Sequence, residues 1–156
     1  MGLDQLPWKD FITLGAALLG AGLGIMNTWN TINARRVRLR VRPADAISVP
    51  QGNRMFSIEV VNLSTFPVTI TEVGLTDGPK NIDKGARFVI GNPILIDGKP
   101  WPRRLEVRES VSAYFDPRQL AGQGISIGRA FARTSCGEVA YGTSPALEQL
   151  RTELRA

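Results

Sequence analysis

Five arginines fall within eight residues, Arg35, Arg36, Arg38, Arg40 and Arg42, and their spacing says more about chemistry than any other group in the chain. From Arg36 onward they alternate with Val37, Leu39 and Val41. A two-residue period predicts a strand with one apolar and one cationic face. Same-face guanidiniums then stand about 6.6 Å apart, in a stripe of about 20 Å. Such a stripe suits anionic lipid headgroups, an acidic partner or carboxylates on a neighbouring strand. Residue types that serve catalysis are sparse. The chain has no histidine and one cysteine, which removes the commonest general base and any internal disulfide. No HExxH, CxxC, GxSxG or P-loop string occurs. Asp77, Asp83 and Asp97 lack calcium-loop spacing. No metal or cofactor is expected, and the chain reads as non-enzymatic, with carboxylate or lysine chemistry the remaining catalytic route.

Two further positions draw notice. Trp101 stands in KPWPRR, between Pro100 and Pro102 and ahead of Arg103 and Arg104. A tryptophan beside arginines suits an interface anchor, so Trp101, Arg103 and Arg104 are candidate partner contacts. The competing reading is a loop tryptophan lying on its own domain. Cys136 falls in a predicted turn beside Arg133 and Glu138 and is read as an inert thiol.

The element that precedes the arginines governs where they act. Between Asp10 and Arg35 the chain runs for 24 residues without a formal charge, FITLGAALLGAGLGIMNTWNTINA. Trp8 lies just before this run and Trp29 near its end, about 31 Å apart along a helix. That matches a hydrocarbon core of about 30 Å with tryptophan at both edges. Residues 11–34 are therefore read as one transmembrane helix after a short leader, 1–10. Phe11 and Leu14 help drive insertion, yet Gly15, Gly20, Gly22 and Gly24 make the span weak. Ala16, Gly20 and Gly24 form a small-residue ridge that would let another helix approach closely. A cleaved signal peptide and a buried soluble helix are the alternatives. The leader MGLDQLPWKD disfavours the first, and Leu6 fails the myristoylation pattern.

The charge belongs mainly to the arginine cluster. The chain is +5 overall; Lys9 against Asp4 and Asp10 leaves residues 1–34 at −1, and five of the +6 beyond are the clustered arginines. Residues 43–156 carry only +1, with no basic face interleaved with aromatics, so no nucleic-acid partner is expected. By the positive-inside rule the C-terminal domain faces the cytoplasm of a cell inner membrane.

Beyond the arginines the signals are those of short strands and turns. Strands are expected at 36–42, 56–62, 68–75, 87–90, 94–96, 110–115, 125–134 and 139–141. In VTITEVGL the apolar phase slips from Val68 and Ile70 to Val73 and Leu75, predicting a bulge near Thr71 and Glu72. Ile125, Ile127 and Phe131 are expected on one face. Asp116-Pro117 and Ser144-Pro145 each read as a cap and first position of a helical piece. Leu147, Leu150 and Leu154 share a face of the second. The fold class is mainly β: a single transmembrane helix, an Ig-like antiparallel β-sandwich of about seven strands over 35–143, and a C-terminal helix over 144–156.

Asn62 with Pro67-Val68-Thr69-Ile70, Leu105-Glu106 with Glu109-Ser110, and Arg133-Thr134-Ser135-Cys136-Gly137 before Tyr141-Gly142 give the chain its likeness. It resembles a loosely defined set of small bacterial and phage proteins that pair an N-terminal membrane helix with an immunoglobulin- or fibronectin-like sandwich. It departs from them at Val107 and Arg108, where such domains often carry Pro-Gly. The resemblance implies a fold and an anchor, and no catalytic residue. The expected function is a membrane-anchored interaction module. It would be an accessory or scaffolding subunit, partnered by the bilayer and by other membrane subunits or a second copy through the small-residue face. A phage or mobile-element structural or host-membrane protein, and a ligand-binding sandwich, are the alternatives.

Overall fold

The structure, a computed structural model, describes residues 8–124 and 126–154. Residues 1–7 of the expected leader, Ile125, Arg155 and Ala156 lie outside the described residues. The chain divides after Arg36 into two compact units.

The first unit is helix α1, Trp8–Ala34, 27 residues long and so about 40 Å. It includes Trp8, Lys9 and Asp10, which the charge pattern assigned to the leader. Charge ends an apolar run without ending a helix, and Asp10 in the first turn complements the positive end of the helix dipole.

The second unit holds eight antiparallel strands in two sheets and a short C-terminal helix. Sheet A is ordered β1-β2-β6, from Leu39–Ile47, Arg54–Asn62 and Ser110–Phe115. In sheet B, β3 (Val68–Asp77) pairs on one side with β7 (Ile127–Thr134), which pairs with β8 (Val139–Gly142). The other side of β3 is shared by β4 (Arg87–Val89) and β5 (Arg103–Leu105). Alternation decides what lies inside. Phe56, Ile58 and Val60 of β2 are fully buried, as are Ile70 and Val73 of β3, and with Val41, Val111 and Ala113 they form one core. The bulge in β3 falls between Ile70 and Glu72, where the apolar phase slips.

Helix α2, Pro145–Glu153, starts at Ser144, whose hydroxyl accepts the Leu147 N–H. It packs on its own domain: Leu147 and Leu150 belong to the core and Leu154 lies against it. A 3-10 turn at Pro117–Leu120 begins with the Asp116 carboxylate accepting the Arg118 N–H.

Three expectations need correction. The first strand begins at Leu39, not Arg36, since its ladder with β2 starts at Leu39 opposite Asn62. Residues 94–96 supply only one bridge, Ile94 to Tyr114. Ile127 and Phe131 do not share a face: Ile127 joins the core, whereas Phe131 is buried outside it. The cause is a second irregularity, where two residues of β3 span three of β7 between Leu75–Ala130 and Asp77–Ile127. Gly128 makes that step possible, because a Cβ there would overlap the Gly78 carbonyl.

Beyond the bulge, the 78–86 loop folds over the outer face of sheet B. The Ile82 N–H donates to Tyr141 Oη at 3.1 Å. Arg129 Nη2 donates to Pro79 O at 3.0 Å and Asn81 Oδ1 at 2.6 Å, with its guanidinium 4.5 Å above the Tyr141 ring.

Candidate functional site

Every described residue of α1 lies outside a protein core. Trp8, Phe11, Leu14 and Trp29 are exposed, and the helix is long and apolar enough to cross a membrane. Its hydroxyls are satisfied internally: Thr13, Thr28 and Thr31 each donate at 2.9 Å to the carbonyl four residues back. That removes the cost of placing three bare donors in lipid. The ridge of small residues is open, with Ala16 exposed and nothing within 4 Å of a Cβ built on Gly20 or Gly24. After Ala34 the helix unwinds through three-residue turns, Arg35 N–H to Ile32 O at 3.2 Å and Arg36 N–H to Asn33 O at 3.3 Å.

Arg38, Arg40 and Arg42 are exposed, while Val41 between them is buried. β1 is an edge strand of sheet A, which is why Pro43, with no N–H to offer, is tolerated within it. In register Arg42 lies opposite Glu59 and Arg40 opposite Val61. Among the described residues no carboxylate reaches ion-pair distance of Arg38, Arg40 or Arg42. Their charge is left to solvent or to a partner.

Trp101, Arg103 and Arg104 are placed differently from one another. Trp101 is half-buried against the core, and its indole N–H donates to Thr71 O at 3.1 Å. Arg103 is buried within β5, with Nη2 2.9 Å from Asp97 Oδ2 and 3.2 Å from Glu109 Oε1. Both residues are engaged inside the domain. Only Arg104 faces out, 3.1 Å from the Glu106 carboxylate. β5 was hidden in the sequence because RRL is charged and follows Pro100 and Pro102, so its strand character comes from pairing with β3.

Sequence reasoning gave no role to Asn62, which has no exposed surface. Its amide nitrogen faces the carbonyls of Phe66, Leu105 and Glu106 at 2.9, 3.2 and 3.1 Å, and its oxygen accepts the Ser64 N–H at 2.9 Å. Asparagine closing an apolar strand is the only sequence trace of this junction. Next to it, the Glu109 carboxylate accepts the Glu106 N–H at 2.8 Å. That bond, then the nearby Arg103 charge, holds Glu109 below its ordinary carboxylate range.

An open hollow of about 450 Å³ is lined by Arg54, Pro117, Arg118, Leu150 and Glu153. Its acid, Glu153, is bound by Arg54 at 2.5 Å, which, with Gln149, holds it below the ordinary range. Cys136 is exposed, with Sγ 3.1 Å from Thr134 Oγ1. Among the described residues no three thiol or carboxylate side chains gather to hold a metal ion. No family model, curated protein or solved structure matches the chain.

Proposed function

We propose that this chain is a single-span, membrane-anchored interaction module whose β-domain serves as an accessory or scaffolding subunit of a larger membrane assembly. One observation carries the reading: a 27-residue apolar helix with no buried residue stands directly before a strand that carries exposed, unpaired arginines. A helix this apolar and this unburied needs lipid or another helix around it. By the positive-inside rule the five arginines favour a domain on the cytoplasmic side of an inner membrane, and the small-residue ridge would give the span a face for another subunit or a second copy. The domain itself reads as Ig-like. The strand orders β1-β2-β6 and β3-β7-β8 support that reading, in which they would correspond to A-B-E and C-F-G.

Cys136 supports a direct test with the natural chain, because it is the sole cysteine and is exposed. A membrane-impermeant maleimide should label it in bacterial cells only after the inner membrane is opened. Labelling in cells with only the outer membrane permeabilised would overturn the orientation. Purification in mild detergent followed by mass spectrometry should recover companion subunits or a defined oligomer. A monodisperse monomer without companions counts against the scaffolding role.

A further inference from the structure

The end of the domain at which β1 begins is built from three chain segments. Leu63 N–H donates to Arg38 O at 2.8 Å, and Arg38 N–H donates to Ser64 Oγ at 2.8 Å. A four-residue turn, 106–109, is closed by Glu109 N–H to Glu106 O at 3.0 Å and tied to this end by Arg108 N–H to Asn62 O at 2.9 Å. At its third position Arg108 has φ 63°. Every other described residue in that left-handed region is a glycine, at positions 52, 78, 98, 122, 124 and 137. An L side chain disfavours this conformation, and turns of this kind take glycine there. Strain held at one residue points to a use for its side chain.

The Arg108 guanidinium is also left without a local partner. Glu106 is turned to Arg104 and Glu109 to Arg103 and the Glu106 N–H. Among the described residues no carboxylate reaches Arg108. Beside it stand two exposed apolar tips, Val107 at 46% and Leu63 at 41%, and the exposed Arg38. Four residues take the chain from Ala34 of α1 to Arg38, a reach of at most about 14 Å.

We propose that this end of the domain docks on anionic lipid headgroups, with Arg108 and Arg38 on phosphate oxygens and Val107 and Leu63 against the interface. The inference rests on α1 spanning a bilayer. Guanidinium matches phosphate, apolar tips between cations suit an interfacial surface, and a tether this short keeps the turn near the headgroups.

The test uses the full chain in vesicles, with Cys136→Ser and Val107→Cys carrying an environment-sensitive fluorophore and a nitroxide lipid as quencher. In phosphatidylcholine containing about a third phosphatidylglycerol the fluorophore should be quenched. Quenching should fall severalfold in pure phosphatidylcholine or at high salt. Arg108→Gly should fold at least as well, since glycine relieves the turn, yet reduce docking about fivefold, one basic residue's share. Arg38→Gln should act likewise. Equal quenching in both lipids, or indifference to Arg108→Gly, overturns the docking while leaving the span intact. A chain that fails to float with neutral vesicles overturns the spanning reading, and the docking with it. A label indifferent to lipid yet shielded in native membranes assigns the surface to a protein and overturns the lipid proposal.

Discussion

Trp101 donates its indole N–H to the carbonyl of Thr71 at 3.1 Å, and Thr71 is the residue that the β3 bulge takes out of the ladder with β7. A bulge leaves backbone groups without strand partners, and here a side chain from the segment before β5 takes one of them. The Thr71 hydroxyl completes the patch by donating to Arg133 O at 3.3 Å. The tryptophan is thus tied to the irregularity that lets β3 present both Ile70 and Val73 to the core.

Trp101→Phe keeps most of the apolar contact and deletes the N–H. Leaving the Thr71 carbonyl unpaired should destabilise the domain by about 1–3 kcal/mol. Thermal unfolding of the full chain in mild detergent, followed by near-ultraviolet circular dichroism, measures it; an unchanged midpoint would show that water replaces the bond.

Gly128→Ala should be far more damaging, by about 3 kcal/mol or more. Its Cβ would overlap the backbone carbonyl of Gly78, which cannot swing aside, and meet the Thr76 hydroxyl, which is held by hydrogen bonds to Gly78 O and from Arg129 N–H. The same melt reads it out, with Gly52→Ala the wrong control because Gly52 has a positive φ. Gly91→Ala, with open space around it, is the fitting one.

Asn62→Ala removes one side chain from four backbone partners in two segments, 64–66 and 105–106. A loss of about 2–4 kcal/mol is expected from the orphaned buried groups. Hydrogen exchange should show the Ser64 and Arg108 amides losing protection together; protection that survives would separate the junction into independent parts.

Acid should weaken the domain through Glu109, Asp116 and Glu153, each held below its ordinary value by hydrogen bonds. For Glu109 the first cause is the Glu106 N–H, for Asp116 and Glu153 the Arg118 and Arg54 side chains. A carboxylate with a lowered folded pKa contributes stability that is complete above its unfolded value and is lost as pH falls through the folded one. The unfolded values are 4.5 for glutamate and 3.8 for aspartate. Melting temperature should therefore stay level from about pH 7 to 5 and drop below that. Glu109→Gln should flatten the drop; an equally steep fall would assign it to other groups.

Replacing Gly20 and Gly24 by leucine should leave the β-domain's melt untouched, because both positions have open space around them. The change fills the close-approach ridge, so association in mild detergent, read by size exclusion with light scattering, should weaken. Undiminished association would move the contact to another surface.

What could be read from sequence was local. The phase slip in VTITEVGL located the first bulge, and Asp116-Pro117 and Ser144-Pro145 each marked a start that the caps at Asp116 and Ser144 fulfil. The 24-residue uncharged run marked the helix, although Lys9 and Asp10 concealed that helical backbone reaches back to Trp8. What depends on distant segments was not legible. β5 is a strand because β3 lies beside it, and Ile127 and Phe131 part company because Gly78 crosses at Gly128. Arg103 looked like a surface charge until Asp97 and Glu109, six residues to either side, closed on it. Of the candidate surface, the alternation at Arg38, Arg40 and Arg42 was readable; the left-handed turn at Arg108 was not.

The loop pinned over sheet B by Arg129, Tyr141 and Ile82 gives the domain a back and a front. On the back, Phe131 and Ile82 are already covered, so a probe aimed at them would first have to pry off native structure. The front is sheet A, where Arg40, Arg42 and Ala44 meet solvent directly. Crosslinkers and conformational probes that must leave the fold undisturbed belong on that side.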